Sequence, residues 1–275
     1  MKSFALLLTV CLLIAVNAPA QVYQQVTDAG TVNWQDQIIR STGIGAPNPN
    51  MPLAAQRAGA LEAAKRVALR NLLETVKGMS ITSETTVENA MIASDIINTK
   101  VSGIVRNFKV VETRYMSTGD VEVDVEIPLS GVLADALLPQ MGQPMAPGQG
   151  FPGYQPGMPG QGAVFTGLII DARGAGVRPA MAPKIIDQQG NEVYGTGYVD
   201  REYAVQIGVV GYEKDLNRAR SNERVTNNPL VVKALKSSGS KNCDVVISNQ
   251  DAQNILGAAQ NMNFMEKCKV MIILD

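Results

Sequence analysis

The 275-residue chain carries 24 Lys+Arg against 25 Asp+Glu and no histidine, which excludes imidazole general bases, Ser-His-Asp triads and histidine metal sites. So even a charge balance argues against nucleic acid as a partner, because such proteins show a strong basic excess.

At the start, Met1-Lys2-Ser3 is a short basic segment, Phe4 to Val16 is almost wholly apolar, and Ala18-Pro19-Ala20 is a small-x-small cleavage site. This is the pattern of a secretory signal peptide cut between Ala20 and Gln21, and it sends the mature chain to the periplasm. The apolar run is too short to span a bilayer, which takes about 20 residues, so no transmembrane segment is expected in the mature chain. Cys11 does not read as a lipidation site, since Val10 stands where a small residue is required. Loss of Lys2 lowers Lys+Arg from 24 to 23 against 25 acids, a net charge near −2. The remaining 255 residues exceed what one domain usually needs, so two are expected.

The first domain is placed at residues 30–138. Val32-Asn33-Trp34 and Ile38-Ile39-Arg40 read as strands ending at Gly43-Ile44-Gly45. From Leu53 to Lys77 there is no proline, Leu61, Ala64, Ala68, Leu72 and Val76 recur at helical spacing, and Gly78 follows as a C-cap. A stripe this rich in alanine lets the helix lie close against a sheet. Arg57, Lys65, Arg66, Arg70 and Lys77 are explained by a solvated helix exterior, with an anionic-ligand surface as the alternative. Ile81 to Val87 reads as a strand, Ser94 to Val101 as a helix capped by Ser94 and closed near Gly103, and Ile104 to Tyr115 as a longer strand. Val121, Val123, Val125 and Ile127 alternate with Glu122, Asp124 and Glu126, the period-two pattern of a strand buried on one face. Ser117-Thr118-Gly119-Asp120 is the hairpin loop before it. The acidic ladder is read as a wet face, with cation binding as the alternative.

These residues carry a resemblance. Asn33-Trp34, Ile39 to Gly45, Ala54 to Arg66, Leu72 to Gly78, and Gly103 before Val110-Val111 make this part similar to bacterial envelope proteins typified by the twenty-kilodalton outer-membrane lipoprotein family and by the N-terminal domain of flagellar assembly protein T. The resemblance implies a small α+β module without catalytic residues. Because the chain lacks a lipidation site, the membrane anchor does not carry over.

Residues 139–162 hold six prolines, seven glycines and no charge, a composition that cannot form a core and reads as a flexible linker. As a coil it separates its ends by roughly 25 to 30 Å, which leaves the domains free to reorient. The second domain, 163–275, opens on Phe165 to Gly195. There the apolar run of Phe165, Leu168, Ile169 and Ile170, the short run Lys184-Ile185-Ile186 and Glu192-Val193-Tyr194 are separated by glycine turns and read as a β-meander. Gly174-Ala175-Gly176 and Gly195-Thr196-Gly197 partly match a dinucleotide fingerprint, but Pro179 and Asp200 stand where a third small residue should open a helix. Both are turns. Val199 to Val210 is helical or extended, Tyr212 to Asn222 helical, and Leu230 to Leu235 a buried strand or helical turn. Val245-Val246-Ile247, a helix from Ser248 with Asp251 three residues on, and Val270 to Leu274 read as a βαβ unit ending on a central strand. Asp244 to Ser248 and Cys268-Lys269-Val270 are also similar to the later part of flagellar assembly protein T-like proteins.

Cys243 and Cys268 are the only cysteines after residue 20, too few for a structural four-ligand zinc site. Each lies two residues before the first valine of its strand, so parallel neighbouring strands would align them for a disulfide worth about 3 kcal/mol in an oxidising compartment; the alternative is two buried thiols on strands separated by another strand and too far apart to bond. The expected fold class is α+β, two small α/β-sandwich-like domains joined by a Pro/Gly-rich linker. No catalytic, cofactor or metal residue is assigned. The expected function is a non-enzymatic envelope protein with a structural or assembly role through contacts with envelope protein partners, associated with the outer membrane or a flagellum. The alternatives are a periplasmic module binding a glycan or small ligand between the domains, and a hydrolase using Asp171 and Asp187.

Overall fold

The computed structural model describes residues 21–139, 165–259 and 263–275. The signal segment with Ala20 and Cys11 lies outside these residues, as does the linker from residue 140 to 162.

The first domain runs β1 (Tyr23–Thr27), β2 (Gly30–Asn33), β3 (Ile38–Gly45), α1 (Leu53–Gly78), α2 (Val87–Ala93), α3 (Asp95–Val105), β4 (Lys109–Tyr115), β5 (Val121–Pro128) and α4 (Val132–Leu137). Its sheet is antiparallel throughout, in the order β1-β2-β3-β5-β4. Alternation in β5 buries Val121, Val123, Val125 and Ile127 and leaves Glu122, Asp124 and Glu126 on the wetter face.

The close approach of α1 follows from two rows of small residues. Ala60, Ala64 and Ala68 are fully buried, and they lie over Gly43 and Gly45 of β3. A Cβ on Gly43 would stand 2.2 Å from the Ala68 nitrogen and 2.3 Å from the Ala64 oxygen, and one on Gly45 would stand 2.1 Å from the Ala60 oxygen. Those neighbours are backbone and cannot step aside. The contact is fixed by polar ties as well, with Ser41 Oγ donating to the Ala68 oxygen at 3.2 Å and Asn71 Nδ2 to the Thr42 oxygen at 2.8 Å.

Two expectations here are corrected. Ile81 to Val87 forms a single bridge, Ser80 to Thr86, rather than a strand. Thr82 Oγ1 accepts the amides of Glu84 and Thr85, which turns the chain, and Thr86 then caps α2 through the Asn89 amide. The strand expected from Ile104 begins only at Lys109, because α3, capped by Ser94 as expected, continues to Val105.

The second domain comprises β6 (Gly167–Asp171), β7 (Ile185–Ile186), β8 (Glu192–Tyr194), α5 (Arg201–Ile207), β9 (Gly211–Glu213), α6 (Leu216–Arg220), β10 (Pro229–Lys233), β11 (Lys236–Ser238), β12 (Asp244–Val246), α7 (Asn249–Ala259) and β13 (Val270–Ile273). These strands form two sheets. One is wholly parallel, ordered β10-β6-β13-β9, and the other is mixed, ordered β11-β12-β7-β8. The meander is therefore corrected: β7 and β8 make a hairpin, but β6 belongs to the other sheet. Its physical reason is burial on both faces. Leu168 and Ile170 enter the main core, while Ile169 joins Ala219, Val225, Met271 and Ile273 in a smaller cluster under α6. A near-continuous apolar run is what a two-sided parallel strand requires.

The βαβ unit is corrected too. Strand β12 pairs with β7, and β13 inserts between β6 and β9 in the other sheet, so the chain reaches a central strand without making β12 and β13 neighbours. Within Tyr212 to Asn222, Tyr212 sits in β9 and the helix begins at Leu216, where Asp215 accepts the Arg218 amide as its cap. The fold class is α+β. One hydrophobic core runs through both domains, from Trp34, Leu129 and Leu133 to Tyr194, Ala204 and Tyr212.

Candidate functional site

The junction between the domains is built from residues whose backbone would otherwise be unsatisfied. The turn after α1 lends its carbonyls to the second domain: Met181 donates to the Ser80 oxygen at 3.1 Å and Ala182 to the Ile81 oxygen at 2.8 Å. Ser83, fully buried, plugs into the turn that follows β11. Its hydroxyl donates to the Ser238 oxygen at 2.9 Å and accepts the Cys243 amide at 3.3 Å, while its carbonyl accepts Ser240 Oγ at 2.7 Å and the Lys241 amide at 3.1 Å. On the other side, Gly131 donates to the Val205 oxygen at 2.8 Å, Arg201 binds the side chain and carbonyl of Asp135, and the Trp34 ring meets the Tyr212 ring edge-on with centroids 5.7 Å apart. The expected free reorientation of the domains is corrected by these ties: polar plugs and a shared apolar core dock them.

Beside Tyr212 the junction opens into a polar cavity of about 270 Å3 lined by Gln35, Asp36, Gln37 and Ser130 from the first domain and by Gln206, Asn222 and Arg224, among others, from the second. Arg224 crosses Gly211, where a Cβ would stand 2.8 Å from its Nε. Its Nη1 donates to the Gly208 oxygen at 3.0 Å and the Cys268 oxygen at 2.9 Å, and its Nη2 donates to the Ile207 oxygen. No carboxylate pairs with it among the described residues, and burial lowers its pKa from the ordinary arginine value. Gln37 Nε2 donates to the Ile207 oxygen at 2.6 Å, which ties the two walls together. The side-chain oxygen of Gln35 is buried and has no hydrogen-bond partner among the described residues.

The sequence offered a cleft between the domains as an alternative but singled out none of the residues that line this one. Arg224 lies in a stretch of Asn, Glu, Arg and Thr with no periodic signal, and its significance rests on Gly208, Gly211 and Cys268, which only the fold brings to it.

The residues that the sequence singled out fall elsewhere. Cys243 and Cys268 are both free and buried, and the adjacent parallel pairing that would have joined them is absent, since β12 and β13 belong to different sheets. Cys243 Sγ faces the carbonyls of Lys241 and Pro179, and Cys268 Sγ that of Glu266. Burial pushes the Cys243 thiol up and the Cys268 thiol up to about 12, so both stay protonated at neutral pH. The disulfide expectation is corrected on that topology.

Asp171 ends β6 and binds Arg173 at 2.7 Å, which holds its carboxyl below the usual range. Asp187 follows β7 in the other sheet. Partial burial works against its ionisation, yet the Asn191 side chain and the turn amides still hold its pKa low. Neither is raised toward a general acid's working range. The acidic ladder is neutralised in place, with Glu126 beside Arg40 and Lys109, and Glu122 and Asp124 beside Arg114. On the basic helix, Lys65 and Lys77 pair with Glu62 and Glu74, and Arg57 lies 4.9 Å over the Tyr115 ring.

A second surface lies at the edge of the first sheet. Strand β4 pairs with β5 on one side only among the described strands. Val110, Val111, Tyr115 and Met116 are exposed along it, Tyr115 by 51%. A bulge between Val110 and Glu112 interrupts its ladder near the start.

Two comparisons bear on this architecture. Residues 42–128 match the family model described as LPP20 lipoprotein, and residues 167–275 match that described as Treponema pallidum Tp0624, second domain. No curated protein matches the chain. Each domain is thus similar to a different family, and the first is similar to a lipoprotein. Among the described residues no helix is long and apolar enough to cross a membrane.

Proposed function

We propose that the chain is an exported, non-enzymatic cell-envelope protein of the periplasm that acts in assembly by protein-protein contact, at the outer membrane or a flagellum-like basal structure. The observation that carries the reading is β4, an open strand edge with three exposed apolar side chains, Val110, Val111 and Tyr115, and Met116 directly after it. Natural proteins usually blunt such edges with charge or a bulge; here Lys109 and the bulge guard the first half, while the second half offers backbone donors and acceptors. An extended segment of an envelope partner added beside the second half of β4 would gain main-chain hydrogen bonds there and rest side chains on Tyr115 and Met116, with its end reaching Val111 at the bulge. The match of the first domain to LPP20 lipoprotein supports an envelope setting, and the resemblance to flagellar assembly protein T supplies the basal-structure part of the proposal.

The test is crosslinking in cells of the native host followed by purification, for the natural chain and for Val111→Lys combined with Met116→Lys. A defined complex that the double variant loses, with its thermal midpoint unchanged, is the expected result. A monomer in every fraction, or equal capture by the variant, overturns the assignment to β4.

A second reading, binding of a small ligand between the domains, is favoured by the polar cavity around Arg224.

A further inference from the structure

Arginine stays charged in proteins and has five N–H donors. In Arg224 three of them are committed to the carbonyls of Gly208, Cys268 and Ile207. What remains is the Nε–H and one Nη2–H, and no protein acceptor engages these among the described residues. Two parallel N–H groups at this spacing match the two oxygens of a carboxylate or phosphate. The only other charged residue lining the cavity is Asp36, which stands at the exposed rim and accepts Asn33 Nδ2 at 2.7 Å and Gln21 Nε2 at 3.3 Å.

The rest of the lining asks for hydroxyls. A buried acceptor without a donor is costly, and the Gln35 oxygen is one. Ser130 and Asn222 add a hydroxyl and an amide to the lining. At about 270 Å3 the space lies just under the usual range for small-molecule sites, about 300–1,000 Å3. That is room for one sugar-sized molecule and too little for a chain of them.

We propose that the junction cavity binds a small hydroxylated oxyanion of monosaccharide size, its carboxylate or phosphate held by the Nε and Nη2 edge of Arg224 and a hydroxyl donated to Gln35. This rests on the reading of the junction as a small-ligand site. It makes Arg224 a binding residue that also fastens the α5–β9 loop to the start of β13.

The experiment titrates D-glucuronate, inorganic phosphate and D-glucose into residues 21–275, followed by calorimetry and by the thermal midpoint. Glucuronate and glucose differ at the carboxylate, so the pair isolates the anchor. Glucuronate and phosphate are expected to bind and raise the midpoint in proportion to concentration, and glucose to do neither. Arg224→Lys keeps the charge but loses the fork, and it should weaken glucuronate at least tenfold. Gln35→Leu leaves the carbonyl bonds of Arg224 untouched and should weaken glucuronate several-fold, which keeps the test decisive if the arginine variant fails to fold. Glucose binding as well as glucuronate overturns the oxyanion while leaving a small-ligand site in place. Failure of all three probes at millimolar concentration overturns both.

Discussion

In the first domain one antiparallel sheet is covered by a single 26-residue helix, and the two meet through rows of glycine and alanine. In the second, eleven elements form two four-stranded sheets with short helices, and order is imposed by side chains that reach carbonyls far away in sequence: Tyr212 to Ala180, Tyr194 to Val209, Arg224 to Cys268. The first domain is thus specified by what is absent from its side chains, and the second by what its few large polar side chains hold. Substitutions should fail differently in each.

The largest effect is expected where the two meet. Trp34 is 2% exposed and packs edge-on against Tyr212, so Trp34→Ala should cost about 4 kcal/mol through transfer and cavity terms. Because the core is continuous, the loss should lower the urea midpoint reported by both domains. It is followed by circular dichroism, since Trp34 is the only tryptophan. A transition that moves in the first domain alone would show that docking adds nothing to the second.

Gly43→Ala tests the glycine track. Its Cβ would meet helix backbone on two sides, and overpacking of this kind costs about 3 kcal/mol. Hydrogen exchange should quicken across α1 and β3 and stay unchanged in the parallel sheet. Slow exchange in α1 after the substitution would mean that the helix can lift from the strand without penalty.

The smallest effect separates the domains by sign. In Asp124 burial opposes ionisation, but Arg114 and Thr42 outweigh it and hold the pKa low. A depressed carboxylate contributes stability above its unfolded pKa, about 3.9, and that contribution is lost as pH falls through the folded value. For Asp244 burial dominates and the pKa is raised, although the carboxylate accepts the Lys184 amide. Its contribution is therefore fully present below the unfolded value and lost as pH rises through the folded one. Asp124→Asn should destabilise at neutral pH and flatten the acid limb, whereas Asp244→Asn, which keeps the accepting oxygen, should be neutral or stabilising there. Denaturation midpoints across the acid range decide it, and equal signs for the two variants would refute the contrast.

Much of the first domain was legible because its signals are local and periodic: the alanine stripe of α1, the alternation in β5, the Ser94 cap. The strand misread at Ile81 shows the limit, since β-branched residues favour a strand while Thr82 closes a turn through its own hydroxyl. In the second domain the strands themselves were recognisable, β6, β7, β8, β12 and β13 among them. Their assignment to sheets was not, because three-residue strands carry no register information, and whether β12 neighbours β13 is decided by Ile185 and by the slot between β6 and β9. The cavity was illegible for the same reason. Its walls come from residues 35–37, 130, 206, 207, 211, 212, 222, 224 and 271, and nothing in any one of these segments announces the others.

The place of β13 also sets an order of events during folding. Strands β6 and β9 share no ladder with each other; each is joined to the parallel sheet's centre only through residues 270–273. The first domain and the β6–β10 pair can form before β13 is available, but β9 joins the parallel sheet only through residues 270–273. Until then Leu168, Ile170 and Tyr212 have no middle strand to lie beside. The interval between synthesis of β9 and of β13 therefore leaves β9 without a ladder partner and open to proteases.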